Sequence, residues 1–329
     1  MTGWLDVHAH YLTDRYTQAC TAAGHHHPDG MPALPAWNPQ DALAFMDAAG
    51  IAASVLSVSS PGVHFGDDSL GADRAARDLA RHVNDFGADL VTSHRSRFGL
   101  AASLPLPDIQ GALRELDHAY GDLRADAIAL KTNYHGRYLS DPAFSPVLTA
   151  LDAHAAVVTL HPTSPPGWQR TALDRPRPMI EFLFDTTRCV IDLALSGTLA
   201  RYPRVRWIVP HAGAVLPTLA HRVAFVCDLT GTPADLPTAL GNLHYDLAGT
   251  PLPVALETLL KLAPPNRLLY GSDYPFTPAP AALQLATALR QSPHLQDATL
   301  DLTPDSPGAT LFPRLFAQQG RPEDRASPA

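Results

Sequence analysis

The chain has 329 residues, of which 46% are hydrophobic, and a formal net charge of −8 from 24 Lys+Arg against 32 Asp+Glu. This length fits one large domain or two ordinary ones, with enough apolar material for a sizeable core. The acidic balance, together with the lack of any dense basic block, argues against nucleic acid as a partner.

The three cysteines, Cys20, Cys189 and Cys227, are scattered and include no Cys-x-x-Cys pair. This pattern indicates reduced thiols rather than a disulfide framework or a thiolate zinc site. The first residues lack the basic and apolar regions of a signal peptide. No apolar run approaches the roughly 20 residues that span a bilayer. We therefore expect a cytoplasmic protein without a membrane partner.

Eight short apolar or β-branched runs recur along the chain, and each is followed by a segment with helical spacing. The predicted strands are 5–8, 52–58, 98–101, 127–131, 157–161, 205–209, 243–246 and 267–271. The predicted helices are 39–49, 72–86, 109–120, 144–154, 180–195, 216–228, 254–262 and 281–290.

Eight strand-then-helix units with nearly continuous apolar strands indicate a parallel sheet covered by helices. The count of eight favours closure into a (β/α)₈ TIM barrel, and an open, doubly wound sheet is the alternative. No Gly- or Ser-rich linker divides the chain, so the prediction is one domain over 1–317, with a flexible tail at 318–329.

Two segments interrupt the alternation of strands and helices. Residues 22–39 carry four prolines, two glycines and the run His25–His27. Residues 162–179 are rich in proline and arginine, with Trp168 near their middle. Because they follow strands 1 and 5 at the end of the barrel where active sites lie, we expect both to be lid loops.

A His-x-His pair, His8 and His10, ends the first predicted strand. Residues two apart on a strand face the same side, so both imidazoles can contact one ion. Neutral imidazole suits zinc and other first-row divalent metals. Two unrelated histidines are the alternative interpretation, which the position at a strand end disfavours.

Three further polar residues end predicted strands. His161 follows four apolar residues of strand 5, and His211 has the same setting on strand 6. Each of these alone is equally well interpreted as a buried core histidine. Asp273, after strand 8, is either a helix cap or a metal ligand and proton carrier. Because all strands of a closed barrel reach one mouth, we expect these residues to converge with His8 and His10.

These motifs resemble those of the amidohydrolase superfamily, and the resemblance extends over almost the whole chain. More narrowly, they resemble the branch that contains 2-amino-3-carboxymuconate-6-semialdehyde, γ-resorcylate and 6-methylsalicylate decarboxylases. The motifs are His8-Ala9-His10, His161-Pro162, His211-Ala212-Gly213 and Gly271-Ser272-Asp273-Tyr274-Pro275. The resemblance implies one divalent metal ion, zinc or alternatively manganese, on His8, His10, His161 and Asp273. It also implies an unligated catalytic His211, with Asp273 as the second catalytic group.

The resemblance further implies that Arg222 holds a substrate carboxylate, in some relatives across a dimer interface, so we expect a homodimer or a dimer-based oligomer. Lys131 ends strand 4, where some members of the superfamily carry a carbamylated lysine between two metals. Because this branch resembles the mononuclear type, we expect Lys131 to form a wall of the substrate site or a charge partner within it. Trp168 is a further candidate for substrate binding, with packing as the alternative. Asp246 is a candidate hydrogen-bond acceptor for a ligand histidine.

The predicted site supports two reactions. A decarboxylase would bind the carboxylate of a small aromatic or unsaturated acid, and Asp273 or His211 would supply a proton to the carbon that loses CO₂. A hydrolase of a lactone, an amide or a related carbonyl compound would use the same residues to activate water. The resemblance favours the decarboxylase. A purely structural metal site is disfavoured, because such sites are usually closed and rich in cysteine.

Overall fold

A computed structural model describes residues 3–66, 69–232 and 235–319. Eight parallel strands follow one another around a single sheet in chain order. They are β1 (Trp4–His10), β2 (Ile51–Ser57), β3 (Phe98–Ser103), β4 (Ala127–Lys131), β5 (Val157–His161), β6 (Arg206–Val209), β7 (His244–Asp246) and β8 (Leu268–Leu269).

Backbone hydrogen bonds join the segment after β8 to β1 and close the sheet. The N–H of Val7 donates to the carbonyl of Tyr270 at 2.9 Å, and the N–H of Asp273 donates to the carbonyl of His8 at 2.7 Å. The closed order of the strands confirms the predicted (β/α)₈ barrel and rules out the open, doubly wound sheet.

Helices cover the outside of the barrel, and all eight predicted helices are present. The helices are α1 (Asp14–Ala22), α2 (Pro39–Ala49), α3 (Leu70–Ser93), α4 (Ile109–Gly121), α5 (Ser145–Ala153), α6 (Trp168–Thr171), α7 (Glu181–Leu195), α8 (Thr198–Arg201), α9 (Leu216–Thr230), α10 (Leu236–Gly241), α11 (Ala255–Leu259), α12 (Ala279–Arg290), α13 (Pro307–Leu311) and α14 (Pro313–Gln318). A small hairpin pairs Asn133–Tyr134 with Arg137–Tyr138 after β4.

The barrel interior is filled by small and branched side chains, among them Leu5, Val7, Ala53 and Val55. Leu311 of α13 and Leu315 of α14 join this cluster, together with Phe312 between the two helices, which is 1% exposed. These two helices therefore close the end at which the strands begin. The opposite end, where the strands finish, is left for the functional site.

A bulge in β1 determines which residues of that strand reach the functional end. Leu5 and Val7 face the barrel interior, so strict alternation would turn His8 outward. The pairing of β1 with β2 shifts register between Asp6 and Ala9, which places one extra residue in β1. Bulges at barrel rims re-aim side chains in this way. The shift accounts for the inward direction of both His8 and His10.

The predicted tail over 318–329 lies outside the described residues except for Gln318 and Gln319, and Gln318 is still helical. Within the described parts of the chain, no helix combines the length and the apolar character that a membrane span requires.

Candidate metal centre

Four residues converge at the mouth of the barrel, as the sequence predicts: His8, His10, His161 and Asp273. Each offers one nitrogen or oxygen atom, and these four atoms lie within 4.8 Å of one another. His8 and His10 come from β1, His161 from the end of β5, and Asp273 from the segment after β8. The Asp273 carboxylate contacts both residues of the His-x-His pair, with Oδ1 at 3.2 Å from His10 Nε2 and 3.6 Å from His8 Nε2.

Each of the three histidines uses its Nδ1 atom in a hydrogen bond that fixes the orientation of the ring. The acceptors that fix metal-bound histidines in proteins are typically carboxylates, backbone carbonyls and water. The Nδ1 neighbours here are Asp246 Oδ2 at 2.9 Å from His8, Ser57 Oγ at 3.1 Å from His10, and the Pro162 carbonyl at 2.7 Å from His161. The Nε2 atoms of His8 and His10 are thereby left for Asp273 and the centre of the site, whereas His161 Nε2 also lies 3.2 Å from Ser59 Oγ.

The donor set fits a divalent metal ion. His8 Nε2 is buried and has no hydrogen-bond partner in the described structure, a costly arrangement unless a ligand satisfies the atom. Three imidazole nitrogens and one carboxylate oxygen form a set that suits zinc or manganese. His161 and Asp273 also line a cavity, so a substrate can reach the site, as catalysis requires.

In the metal-free site, the surrounding charges favour a protonated His8, whose proton a metal ion must displace, and an ionised Asp273. Burial favours the neutral form of His8, but the charge of Asp246 and the hydrogen bond to it raise the pKa of His8 to about 9. Burial likewise favours protonated Asp273, but the hydrogen bond with His10 and the charge of His8 lower the pKa of Asp273 to about 2. Asp273 is therefore a carboxylate at neutral pH, as a metal ligand must be.

His211 lies beside this group without belonging to it. Its ring centroid is 5.0 Å from that of His8 and 6.4 Å from that of His161. Its Nδ1 atom is buried and has no hydrogen-bond partner in the described structure. Burial and the positive charge of His8 lower the pKa of His211, so its imidazole is neutral near pH 7. An unpartnered, neutral imidazole beside the site can accept or pass on a proton.

The backbone holds His211 and Asp273 in unusual conformations. Their φ angles are 57° and 56°, in the left-handed region that non-glycine residues rarely adopt. Hydrogen bonds retain them there: Asp246 Oδ1 accepts from the N–H of His211 at 3.0 Å, and the carbonyl of His8 accepts from that of Asp273. Local strain of this kind is often found at functional sites.

A cavity of about 450 Å³ opens onto the metal centre, with His161, His211 and Asp273 in its wall. The rest of the wall is mainly apolar, and the described lining includes no lysine or arginine. The other lining residues are Met31, Ser59, Pro178, Met179, Phe182, Leu183, Ala214, Ala248, Gly249, Thr250, Ala255, Phe276 and Thr277.

None of the three predicted substrate-binding residues lines the metal cavity, although Lys131 is close enough for its charge to add to burial in lowering the pKa of His10 and His161. Lys131 and Trp168 line a neighbouring cavity that shares no lining residue with the metal cavity. Arg222 is exposed on α9 and lines neither cavity. Of the histidine run, His25 lines the neighbouring cavity, whereas His26 and His27 are exposed.

Sequence reasoning missed the aromatic walls of the metal cavity, Phe182 and Phe276. Phe276 packs its ring edge-on to His10, with centroids 5.3 Å apart, and Phe182 lies 6.2 Å from His161. A signal for Phe276 was available, because it lies three residues beyond Asp273. Phe182 opens α7, and nothing in its sequence neighbourhood distinguishes it from a core residue.

The two predicted lid loops contact each other over the barrel mouth. Ser164 Oγ donates to Asp29 Oδ1 at 2.6 Å, and Arg177 Nε donates to Ser164 Oγ at 3.1 Å. The neighbours Met31 and Pro178 line the metal cavity. The contact therefore links both loops to the wall of that cavity, and their opening and closing as lids stays a prediction.

Residues 5–305 match the family model described as amidohydrolase. The chain belongs to the amidohydrolase family. A 6-methylsalicylic acid decarboxylase of Penicillium expansum is 34% identical to this amidohydrolase over 322 residues, which cover 94% of this chain and 96% of the relative. This relative is a member of the decarboxylase branch whose motifs the chain resembles. The resemblance predicted from the sequence is therefore confirmed.

Solved structures agree with this amidohydrolase fold. An amidohydrolase II structure is 33% identical, with a TM-score of 0.84 over 95% of this chain and 99% of the other. A dihydroxybenzoic acid decarboxylase of a Polaromonas species, with bound manganese and the inhibitor 2-nitroresorcinol, is 21% identical. Its TM-score is 0.76 over 99% of this chain and 100% of that one, and at this identity the likeness concerns the fold.

Proposed function

We propose that this amidohydrolase is a metal-dependent, non-oxidative decarboxylase of a small aromatic carboxylic acid. The observation that carries the proposal is the similarity, over nearly the full length of both chains, to a 6-methylsalicylic acid decarboxylase. Around the metal centre, the cavity of about 450 Å³ has room for a single-ring acid.

His8, His10, His161 and Asp273 would hold one zinc ion, with manganese as the alternative that the Polaromonas structure contains. When bound, the ion would neutralise the substrate carboxylate and an adjacent oxygen and fix both in place. The protein's part is to orient the three histidines through Asp246, Ser57 and the Pro162 carbonyl and to shield the site from water.

The reaction requires one proton at the ring carbon that bears the carboxylate. A C–H bond forms there, the C–C bond to the carboxylate breaks, and its electron pair returns to the ring as CO₂ leaves. Asp273 and His211 both line the cavity and are the two groups that can carry this proton. Because Asp273 is ionised and His211 is neutral at rest, the group that acts must first take up a proton from water. The product keeps the delivered proton, so each turnover consumes one proton from water.

The walls of the cavity favour an acid with one carboxylate and apolar ring substituents. Phe182 and Phe276 offer ring faces and edges to an aromatic substrate. Because the described lining contains no lysine or arginine, this chain offers one metal ion's charge to a substrate carboxylate, and any further counter-charge would have to come from a partner subunit. An alkyl-substituted 2-hydroxybenzoate meets both conditions.

We also propose that the enzyme acts as a homodimer through α9. Arg222, Phe225, Val226 and Leu229 are spaced along one face of that helix, and the last three are 60%, 43% and 69% exposed. Exposed apolar side chains in a contiguous row are typical of protein interfaces. Arg222 does not line the metal cavity of its own chain. It could therefore bind substrate only if it lay in the metal cavity of the partner subunit.

Finally, we propose one catalytic domain over residues 1–317. We also propose a cytoplasmic location, which the three free cysteines favour.

The functional proposal is tested with metal-loaded protein and a panel of 2-hydroxybenzoates, carboxymuconate-like acids, lactones and amides. We expect CO₂ release from 2-hydroxybenzoates with small alkyl substituents. Hydrolysis of a lactone or amide without CO₂ release from any acid would replace the decarboxylase with a hydrolase.

A further inference from the structure

A second cavity of about 400 Å³ lies beside the metal cavity at the same end of the barrel. Loops that follow β1 to β5 form its walls, and Lys131 and Ala129 of β4 lie at its inner end. We call it the lysine chamber. A hydrogen bond between Ser60 Oγ and Thr163 Oγ1, 2.9 Å long, lies between the two cavities, with Ser59 on the metal side and Pro61 on the chamber side.

Two basic side chains, Lys131 and Arg177, and one acidic side chain, Asp29, line the lysine chamber. Lys131 is 5% exposed, and its Nζ atom donates a hydrogen bond to the backbone carbonyl of Val58 at 2.7 Å. The Arg177 guanidinium and the ring of His25 also line the chamber. Asp29 is the only carboxylate in the described lining, and one of its oxygens accepts from Ser164.

His64 supplies an independent indication of a ligand. It is 7% exposed, and its Nε2 atom lies 3.1 Å from Asp73 Oδ1. Its Nδ1 atom is buried and has no hydrogen-bond partner in the described structure. A carboxylate close to Nε2 fixes the proton on that nitrogen, so Nδ1 is an acceptor that water or a hydroxyl group would satisfy.

The remaining wall of the lysine chamber is suited to a flat apolar body. Trp168 is half-buried, and the guanidinium of Arg177 stacks 4.0 Å above its ring. This stacking holds the arginine at the chamber wall, where its free N–H groups can bind a carboxylate in a forked arrangement. Phe65 and Leu104 add apolar surface.

We propose that the lysine chamber is a second binding site, separate from the metal centre, for a small aromatic carboxylate. Arg177 and Lys131 bind the carboxylate, and the ring lies along the apolar wall. A water molecule held with the ligand, or a hydroxyl substituent of its ring, donates to His64 Nδ1. Binding is non-covalent and requires no metal ion. The two residues that the sequence assigned to substrate binding, Lys131 and Trp168, thereby belong to a different site from the one that holds the reacting acid.

The test uses 4-bromobenzoate as the probe. Calorimetric titration of the metal-loaded protein is expected to give two sites, one of which survives removal of the metal with a chelator. Arg177→Met is expected to weaken the metal-independent site by roughly 10- to 100-fold, because it removes a charged donor pair. Arg170→Met is the matched control, since Arg170 is exposed on the same loop and lines neither cavity; it is expected to keep both sites.

A single site in the wild-type protein, or a metal-independent site that Arg177→Met leaves unchanged, would overturn the proposal. Anomalous scattering from crystals of the metal-loaded wild-type protein soaked with the probe gives an answer that needs no variant. A bromine peak in the lysine chamber supports the proposal, and bromine in the metal cavity alone contradicts it. The proposed decarboxylase function does not enter either measurement, so the two can fail separately.

Discussion

The carboxylate of Asp246 accepts hydrogen bonds that serve two different parts of the site. Oδ2 lies 2.9 Å from Nδ1 of the candidate ligand His8, while Oδ1 accepts hydrogen bonds from the backbone N–H groups of His211 and Ala248, each at 3.0 Å. One buried side chain therefore orients a metal ligand and also holds the strained backbone of the catalytic candidate.

We predict that Asp246→Asn lowers metal affinity by roughly 10- to 100-fold, the usual effect of losing such a support. The amide oxygen can still accept the backbone N–H groups, but the amide NH₂ would face His8 Nδ1 and favour the tautomer whose Nε2 carries the proton. Competition with a metal chelator measures the affinity. An affinity within threefold of the wild-type value would contradict this role.

His211→Ala is expected to retain one equivalent of metal while turnover falls by roughly 10²- to 10⁴-fold, the usual contribution of a proton-transfer group. The reason is that His211 lines the cavity but is not one of the four clustered ligand residues. Metal analysis and a turnover assay on the same sample separate the two effects. Loss of the metal from this variant would make His211 a ligand instead.

At the scale of elements, the strands and helices of the barrel followed from hydrophobic periodicity, and β4 and β5 have the predicted bounds. Periodicity did not reveal α1, the hairpin after β4, or α13 and α14. The C-terminal helices α13 and α14 are five and six residues long, which is too short to show an apolar stripe with a 3.6-residue period.

The candidate metal ligands could be recognised because each lies at or near the carboxyl end of a strand, a position that sequence alone locates. The β1 bulge could not be predicted from the sequence, because the His-x-His pattern is the same with and without a bulge. The sequence also could not show that Lys131 and Trp168 line a cavity beside the metal cavity. This placement depends on the paths of two long loops, whose contacts are made by isolated side chains such as Asp29 and Ser164.

Gly30 tests the contact between these loops. Its φ is 78°, and a Cβ atom there would lie 2.5 Å from Arg177 Nη1 and 3.2 Å from the Cα of Pro176. We expect Gly30→Ala to displace Arg177, disturb the adjoining Met31 and Pro178 in the wall of the metal cavity, and raise KM several-fold. Gly24→Ala is the control, since Gly24 has a φ of 85° but nothing within 4 Å of an added Cβ. Equal KM values for the two variants would contradict a role for the loop contact.

In the whole molecule, α13 and α14 close one end of the barrel, and the candidate metal centre lies at the other end. The exposed apolar row on α9 points to a second copy of the chain. We predict that Phe225→Asp converts a dimer to a monomer in analytical ultracentrifugation and raises KM, because Arg222 is withdrawn from the partner's cavity. Leu70→Asp, which changes an 85% exposed leucine on α3, is the control. An unchanged sedimentation coefficient for Phe225→Asp would rule out this interface.

In the proposed function, decarboxylation depends on one metal ion held by His8, His10, His161 and Asp273. The most direct measurement is the rate of CO₂ release from an alkyl-substituted 2-hydroxybenzoate while metal-free protein is titrated with zinc or manganese. The rate is predicted to rise linearly and to level off at one equivalent of metal per chain. Full CO₂ release from the metal-free protein, or no CO₂ release at one bound equivalent of either metal, would contradict the proposed function.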